Sequence, residues 1–297
     1  MKIAITGGAG FIGSKLAEKF ASAGHEVLIL DRNMPRTLSP RITFKMTDLI
    51  RDIPTKEYLS CNAIIHLAGV NIFGRWNKKY KKLIASSRIE TAHSLIEIVK
   101  KAGYGPKVFV SASAVGYYGD GGEQELVESS PNGKDFLSTI CKDWEAVATN
   151  AETVGMRTVS VRTGIVFGPG GGMLAKLIPA FKWGLGGPMG NGQQWFSWIY
   201  IDDLLDIYER VVLDNNFRGP VNAVSPEPIR NRELAAALGR ALHKPTILPL
   251  PGFALKLMLG ELGDIVLMSQ KVIPEKLLKT NFIFGTPFIN EAITKSI

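Results

Sequence analysis

Thr6-Gly7-Gly8-Ala9-Gly10-Phe11-Ile12-Gly13 sets Gly7, Gly10 and Gly13 at three-residue intervals directly behind an apolar run. The chemistry of that spacing is the holding of a dinucleotide pyrophosphate. The first glycine permits a tight turn, the second lets phosphate approach the backbone, and the third brings a helix close to a strand. A helix opening at Phe11 then aims free N–H groups and its positive dipole end at the phosphates. Gly7, Gly10, Phe11, Ile12 and Gly13 are therefore candidate cofactor contacts. Asp31 follows at the end of a second strand, where an acid accepts hydrogen bonds from ribose hydroxyls and repels a 2′-phosphate. Arg32, beside it, has the charge to pair with that phosphate. The two residues pull in opposite directions, one toward NAD(H) and the other toward NADP(H).

Further along, Asp48-Leu49 after a third strand is placed to bring a carboxylate to the adenine amine, or else to cap a helix. His66-Leu67-Ala68-Gly69 ends a fourth strand, where Leu67, Ala68 and Gly69 let the chain pass close to the cofactor. His66 reads as a core histidine. Arg88 lies one turn beyond Ile84 on a long helix, at the rim of its apolar stripe, a position from which arginine commonly snorkels to water.

Positioning these residues takes alternating strands and helices. Apolar runs at Lys2–Thr6, Glu26–Leu30, Ile42–Met46, Ala63–Leu67, Lys107–Val110 and Arg157–Val161 predict parallel strands buried on both faces. Helical spacing predicts helices over Phe11–Ala23, Lys78–Lys101, Asp135–Val154, Met173–Trp183, Asp202–Leu213 and Asn231–Leu242. Short strands are expected near Trp195–Ile199 and Val221–Ala223. The fold class is α/β: a Rossmann doubly wound parallel sheet with a smaller C-terminal α/β substrate region. A boundary is expected after residue 168, giving a cofactor domain over 1–168 and a substrate region over 169–297, with strands exchanged between them and the last fifty residues a helical appendage.

Composition narrows the classes. Among 297 residues, 45% are hydrophobic and 21% charged, a globular balance. A strand from Lys2 leaves no room for a signal peptide, no apolar run reaches the roughly eighteen residues of a spanning helix, and Cys61 and Cys141 lack ligand spacing. A cytoplasmic protein with no membrane partner and no metal is expected. The formal charge of +8 reads as a solvated surface or as attraction for an anionic ligand. No nucleic-acid motif accompanies it. Helix Lys78–Lys101 offers a face for pairing with a second copy as a homodimer.

Several segments together resemble the extended short-chain dehydrogenase/reductase superfamily, and within it the atypical NAD(P)-dependent epimerase/dehydratase-like family labelled cell-division inhibitor-like. They are Gly7–Gly13, Asp48-Leu49, His66–Gly69, Ser111–Gly119, Cys141–Glu145, Arg162–Gly168, Gly190–Trp198, Asn222–Pro226 and Ser269–Pro274. The resemblance implies that Ser113 steadies the reacting oxygen and that Lys142 holds the nicotinamide ribose. It also implies cofactor contacts along Leu67–Gly69, at Arg88 and at Ile165, and it favours NADP(H) over NAD(H). Two parts of the family's machinery are replaced. Ser138 stands where a tyrosine acid/base precedes the lysine by four residues, leaving Tyr117 and Tyr118 as the nearest substitutes. Phe196 stands where an arginine clamps the diphosphate of a nucleotide sugar, so a nucleotide-sugar substrate is not expected. The functional expectation is an oxidoreductase or epimerase-like enzyme on a small carbonyl or hydroxyl substrate. The competing reading is an NADP(H)-binding sensor without turnover.

Overall fold

The computed structural model describes residues 1–297. In chain order the first part comprises β1 (Lys2–Thr6), α1 (Phe11–Ser22), β2 (Glu26–Asp31), β3 (Ile42–Met46), α2 (Thr55–Leu59), β4 (Ala63–His66), α3 (Lys78–Ala102), β5 (Val108–Ala114), β6 (Glu125–Leu126), α4 (Phe136–Thr149) and β7 (Arg157–Thr163). The second comprises β8 (Ile165–Phe167), α5 (Leu174–Lys182), β9 (Trp195–Phe196), β10 (Trp198–Tyr200), α6 (Ile201–Leu213), β11 (Gly219–Ala223), β12 (Ile229–Arg230), α7 (Asn231–Leu242), α8 (Gly252–Leu259), α9 (Glu261–Val266), β13 (Lys271–Val272), α10 (Glu275–Lys279) and α11 (Ile289–Ser296).

Seven parallel strands form one sheet in the order β11-β7-β5-β4-β1-β2-β3. The order reverses beside β1, which opens a crevice at the carboxyl ends of the strands, where α/β sheets take their ligands. Helices cover both faces, so the strands are apolar throughout rather than alternating. Ile3, Ile5, Val27, Ile29, Val110 and Val161 pack under α1 and α6. Ala4, Leu28, Ile64 and Phe109 pack under α3 and α4. The α1 stripe of Leu16, Ala17, Phe20 and Ala21 is buried. α3 begins where the Asn77 side chain accepts the Tyr80 N–H and ends at Gly103, which takes φ 73° as a left-handed cap.

Three departures from the expected elements matter to the site. β5 runs on through Ser111, Ala112, Ser113 and Ala114, and β7 through Arg162 and Thr163. Serine and arginine carry no strand signature, yet both strands continue because each pairs residue for residue with the other, Ser113 opposite Arg162. The single strand expected near Trp195–Ile199 splits at Ser197, β9 pairing with β12 and β10 with β8. The helix expected to reach Val154 ends at Thr149 in a 3-10 turn. β11 lies beyond residue 168 and completes the outer edge of the sheet beside β7.

Candidate active site

The glycine turn is built as tightly as the sequence demands. Gly7 adopts φ 70° and donates its N–H to the Leu30 carbonyl. A Cβ at Gly7 would lie 3.0 Å from the Ala68 nitrogen, and one at Gly13 only 2.3 Å from the Gly7 oxygen. Gly10 caps α1 without any side-chain bond, and a Cβ there would meet just one atom within 4 Å, the Gly7 oxygen. Gly7 and Gly13 thus serve packing, while Gly10 leaves room beside the helix terminus. Phe11 and Ile12 are half-buried against the core. A second glycine run closes on the same corner: a Cβ at Gly171 would lie 2.3 Å from the Phe11 ring.

Asp31 does not stand free at the end of β2. One carboxylate oxygen accepts the Ala9 N–H at 3.0 Å and the other the Asn33 N–H at 3.0 Å. The carboxylate braces the glycine turn itself. Arg32 is exposed, and neither it nor Arg36 has a carboxylate partner. Asp48 caps no helix. Its side chain accepts the Ile50 N–H in a local turn, and α2 starts only at Thr55. Leu49 is buried in the core below it.

At the end of β4 the histidine is a core residue. His66 is fully buried, with Nδ1 2.7 Å from Thr6 Oγ1 and Nε2 3.2 Å from Thr91 Oγ1. Burial pushes its pKa down to about 4. The Ala68 N–H donates to Thr6 Oγ1 at 3.3 Å, so the same threonine holds the backbone of Leu67–Gly69. Arg88 does not snorkel. It turns inward over Trp144, 5.4 Å from the ring, and donates to the Ile84 and Val70 carbonyls at 3.0 Å each. Its guanidinium carbon lies 3.1 Å from the point where a Gly69 Cβ would stand. These two bonds tie it to the main chain and place it against the Gly69-Val70 backbone.

The expected catalytic group is rearranged. Ser113 is buried, and its hydroxyl donates to Glu145 Oε1 at 2.6 Å. Glu145 is gripped by Arg162 through two 2.8 Å bonds, Nε to Oε1 and Nη2 to Oε2. Burial opposes the charge on Arg162, but the Glu145 carboxylate outweighs it and holds the guanidinium above its ordinary pKa. Arg162 also donates to the Tyr118 hydroxyl at 2.9 Å, and Tyr118 in turn donates to Asn222 Oδ1 at 2.6 Å. Tyr118 is one of the two tyrosines expected to substitute as proton donor. Its hydroxyl is buried and engaged on both sides, and burial raises its pKa to about 12. Ser138 is fully buried and donates to the Asp135 carbonyl at 2.9 Å. Lys142 is exposed on α4 without a bonding partner. Ile165 opens β8 and donates its N–H to the Ser197 carbonyl.

Similarity to known proteins accords with this architecture. The NAD dependent epimerase/dehydratase family matches residues 3–223. The chain belongs to that family. A domain of unknown function, DUF1731, matches residues 250–295. The epimerase family protein SDR39U1 of Homo sapiens is 35% identical over 302 residues, covering 100% of both chains. The epimerase family protein YfhF of Bacillus subtilis is 34% identical, covering 100% of this chain and 98% of its own. Human SDR39U1 solved with NADPH superposes with a TM-score of 0.87 at 34% identity, covering 99% of this chain and 98% of that one. A structure described as a nucleoside-diphosphate sugar epimerase from Corynebacterium glutamicum superposes with a TM-score of 0.80 at 33% identity, this chain spanning 58% of it.

Within this epimerase family frame, Phe196 is not a pocket residue. It is buried and stacked on Phe167 with ring centroids 6.2 Å apart. Glu145, Arg162 and Asn222 escaped the sequence reading as site residues. Arg162 had left a trace, a cation in a strand buried on both faces, where a guanidinium must find hydrogen-bond acceptors. No helix is long and apolar enough to cross a membrane.

Proposed function

We propose that this epimerase-family protein is an NADP(H)-dependent oxidoreductase or epimerase-like enzyme acting on a small carbonyl or hydroxyl compound. The observation that carries the cofactor choice is the division of labour at the end of β2. Asp31 spends its oxygens on Ala9 and Asn33, while Arg32 is exposed and unpaired and suits a 2′-phosphate. The NADPH in human SDR39U1 supports the same reading. The fit is good elsewhere in the cradle, because Gly10 leaves open the space beside the α1 terminus that the pyrophosphate requires. Gly7, Gly10, Phe11, Ile12 and Gly13 hold the pyrophosphate, Asp48-Leu49 flanks the adenine, and Leu67–Gly69 and Ile165 line the path of the dinucleotide, with Lys142 at the nicotinamide ribose. Bound there, the nicotinamide supplies hydride exchange with carbon.

The chain's own part in the chemistry centres on Ser113. Its hydroxyl donates to Glu145, which leaves the serine oxygen able to accept a hydrogen bond from a substrate hydroxyl. The Glu145 carboxylate behind it takes the serine proton as the substrate proton arrives, and Arg162 keeps that carboxylate oriented. This arrangement replaces the tyrosine absent at Ser138. No arginine at Phe196 clamps a diphosphate, which argues against a nucleotide sugar in spite of the description given to the Corynebacterium relative.

A second reading, an NADP(H)-binding sensor without turnover, is favoured by one observation. The hydroxyls of Ser113, Tyr118 and Ser138 are all bonded within the protein. Fluorescence titration with NADPH and NADH tests the cofactor assignment. NADPH binds at least about tenfold more tightly, and Arg32→Ala removes most of that difference; equal affinities overturn it. Following NADPH absorbance over a panel of small carbonyl compounds separates the readings. Turnover abolished by Ser113→Ala establishes the enzyme, and tight binding without turnover across the panel establishes the sensor.

A further inference from the structure

The second region carries an apolar face that its own chain does not cover. Trp183 is 83% exposed, Leu185 71%, Ile247 83%, Phe253 76% and Leu257 85%. These side chains belong to one surface. Leu250 donates its N–H to the Pro188 carbonyl at 2.8 Å, and Gly190 donates to the Leu250 carbonyl at 2.9 Å. The chain after Leu185 therefore lies alongside the chain after Ile247, and α8 follows directly at Gly252. α8 reads Gly-Phe-Ala-Leu-Lys-Leu-Met-Leu, and only Leu255 is buried. A helix apolar on nearly every side, yet left in water, lacks its partner.

Charge decides what that partner is. No carboxylate occurs between Glu152 and Asp202, nor between Glu233 and Glu261. These two stretches supply the whole face, and their ionised side chains are cations alone. Lys182 stands beside Trp183 and Lys244 three residues before Ile247, both exposed and neither in an ion pair. The nearest acids in the chain are already neutralised, Glu261 by Lys81 and Asp264 by Lys256. A second copy suits such a face poorly, because two-fold pairing sets the same lysines against each other with no acid between them.

We infer that this face seats the protein on an anionic lipid surface. Trp183, Leu185, Ile247, Phe253 and Leu257 enter the headgroup boundary, and Lys182 and Lys244 meet the lipid phosphates. The seat is an attachment at the surface and not a span, since no helix crosses. It differs from the sequence expectation of no membrane partner, which rested on the absence of a long apolar run. An apolar surface assembled from two loops and one short helix leaves no such run.

Sedimentation of the full chain with vesicles tests the inference. The protein pellets with phosphatidylglycerol–phosphatidylcholine vesicles at low salt and stays in solution with phosphatidylcholine alone. Phe253→Ser with Leu257→Ser lowers the vesicle affinity at least about tenfold without changing the melting temperature. Lys182→Glu with Lys244→Glu removes the preference for anionic vesicles and leaves NADPH binding unchanged. Failure to pellet with anionic vesicles overturns the inference, as does pelleting that the double serine variant does not weaken. Light scattering that finds a dimer dissociated by Phe253→Ser also overturns it and assigns the face to a second copy.

Discussion

Arg162 keeps a full charge inside the sheet because Glu145 meets it with two bonds and leaves no part of the carboxylate idle. Cutting that pair on one side strands the other charge in the interior. Arg162→Met therefore destabilises the fold by about 3–5 kcal/mol, measured by urea unfolding. Adding Glu145→Met to it restores much of the loss, since a neutral pair of similar volume suits the same space. His66 gives a different signature. Its pKa rests near 6.5 in an open chain and falls to about 4 in the fold. The stability it contributes is complete above about pH 6.5 and is lost as pH falls toward 4, on the order of 3 kcal/mol in all. Urea midpoints should fall across that window, and His66→Asn should flatten the slope. Asp31 belongs at this scale too. Because it braces the turn, Asp31→Ala weakens binding of NADPH and NADH together instead of exchanging one preference for the other, a result that paired titrations will show.

At the scale of elements, the glycine turn was legible because the contacts that shape it, among Gly7, Gly10 and Gly13 and with Leu30 and Asp31, lie close in sequence. Gly13→Ala forces a methyl to 2.3 Å from the Gly7 oxygen; it costs about 1–3 kcal/mol in melting experiments and loosens NADPH binding with it. β5 and β7 were legible only as far as their apolar residues ran. Their last turns carry Ser113, Arg162 and Thr163, and what keeps them extended is the partner strand, which no local pattern announces. The polar group behind them was beyond sequence reading for the same reason. Ser113 and Tyr118, Glu145, Arg162 and Asn222 come from four separate segments, and only the closed sheet brings them together. The motif named the residues Ser113 and Lys142; it could not say that the serine proton would be turned toward Glu145.

For the molecule as a whole, the notable fact is how often the chain after residue 168 returns to the part before it. β11 lies beside β7, β13 pairs with β6, Arg230 reaches Glu123 at 2.7 Å, and Ser269 donates to Asp120 at 3.0 Å. Asp203, at the start of α6, accepts the N–H groups of Gly285 and Thr286 at 2.6 and 3.0 Å and ties down the C-terminal segment. Asp203→Ala frees both groups, costs about 2–3 kcal/mol and exposes the segment after Thr280 to limited proteolysis. The same stitching bears on how a ligand enters. Two lobes joined by a single strand of chain swing like jaws, but lobes sewn together at four or more places cannot. Admission to the crevice then falls to loops and side chains at its mouth, and X-ray scattering profiles should be superimposable with and without NADPH.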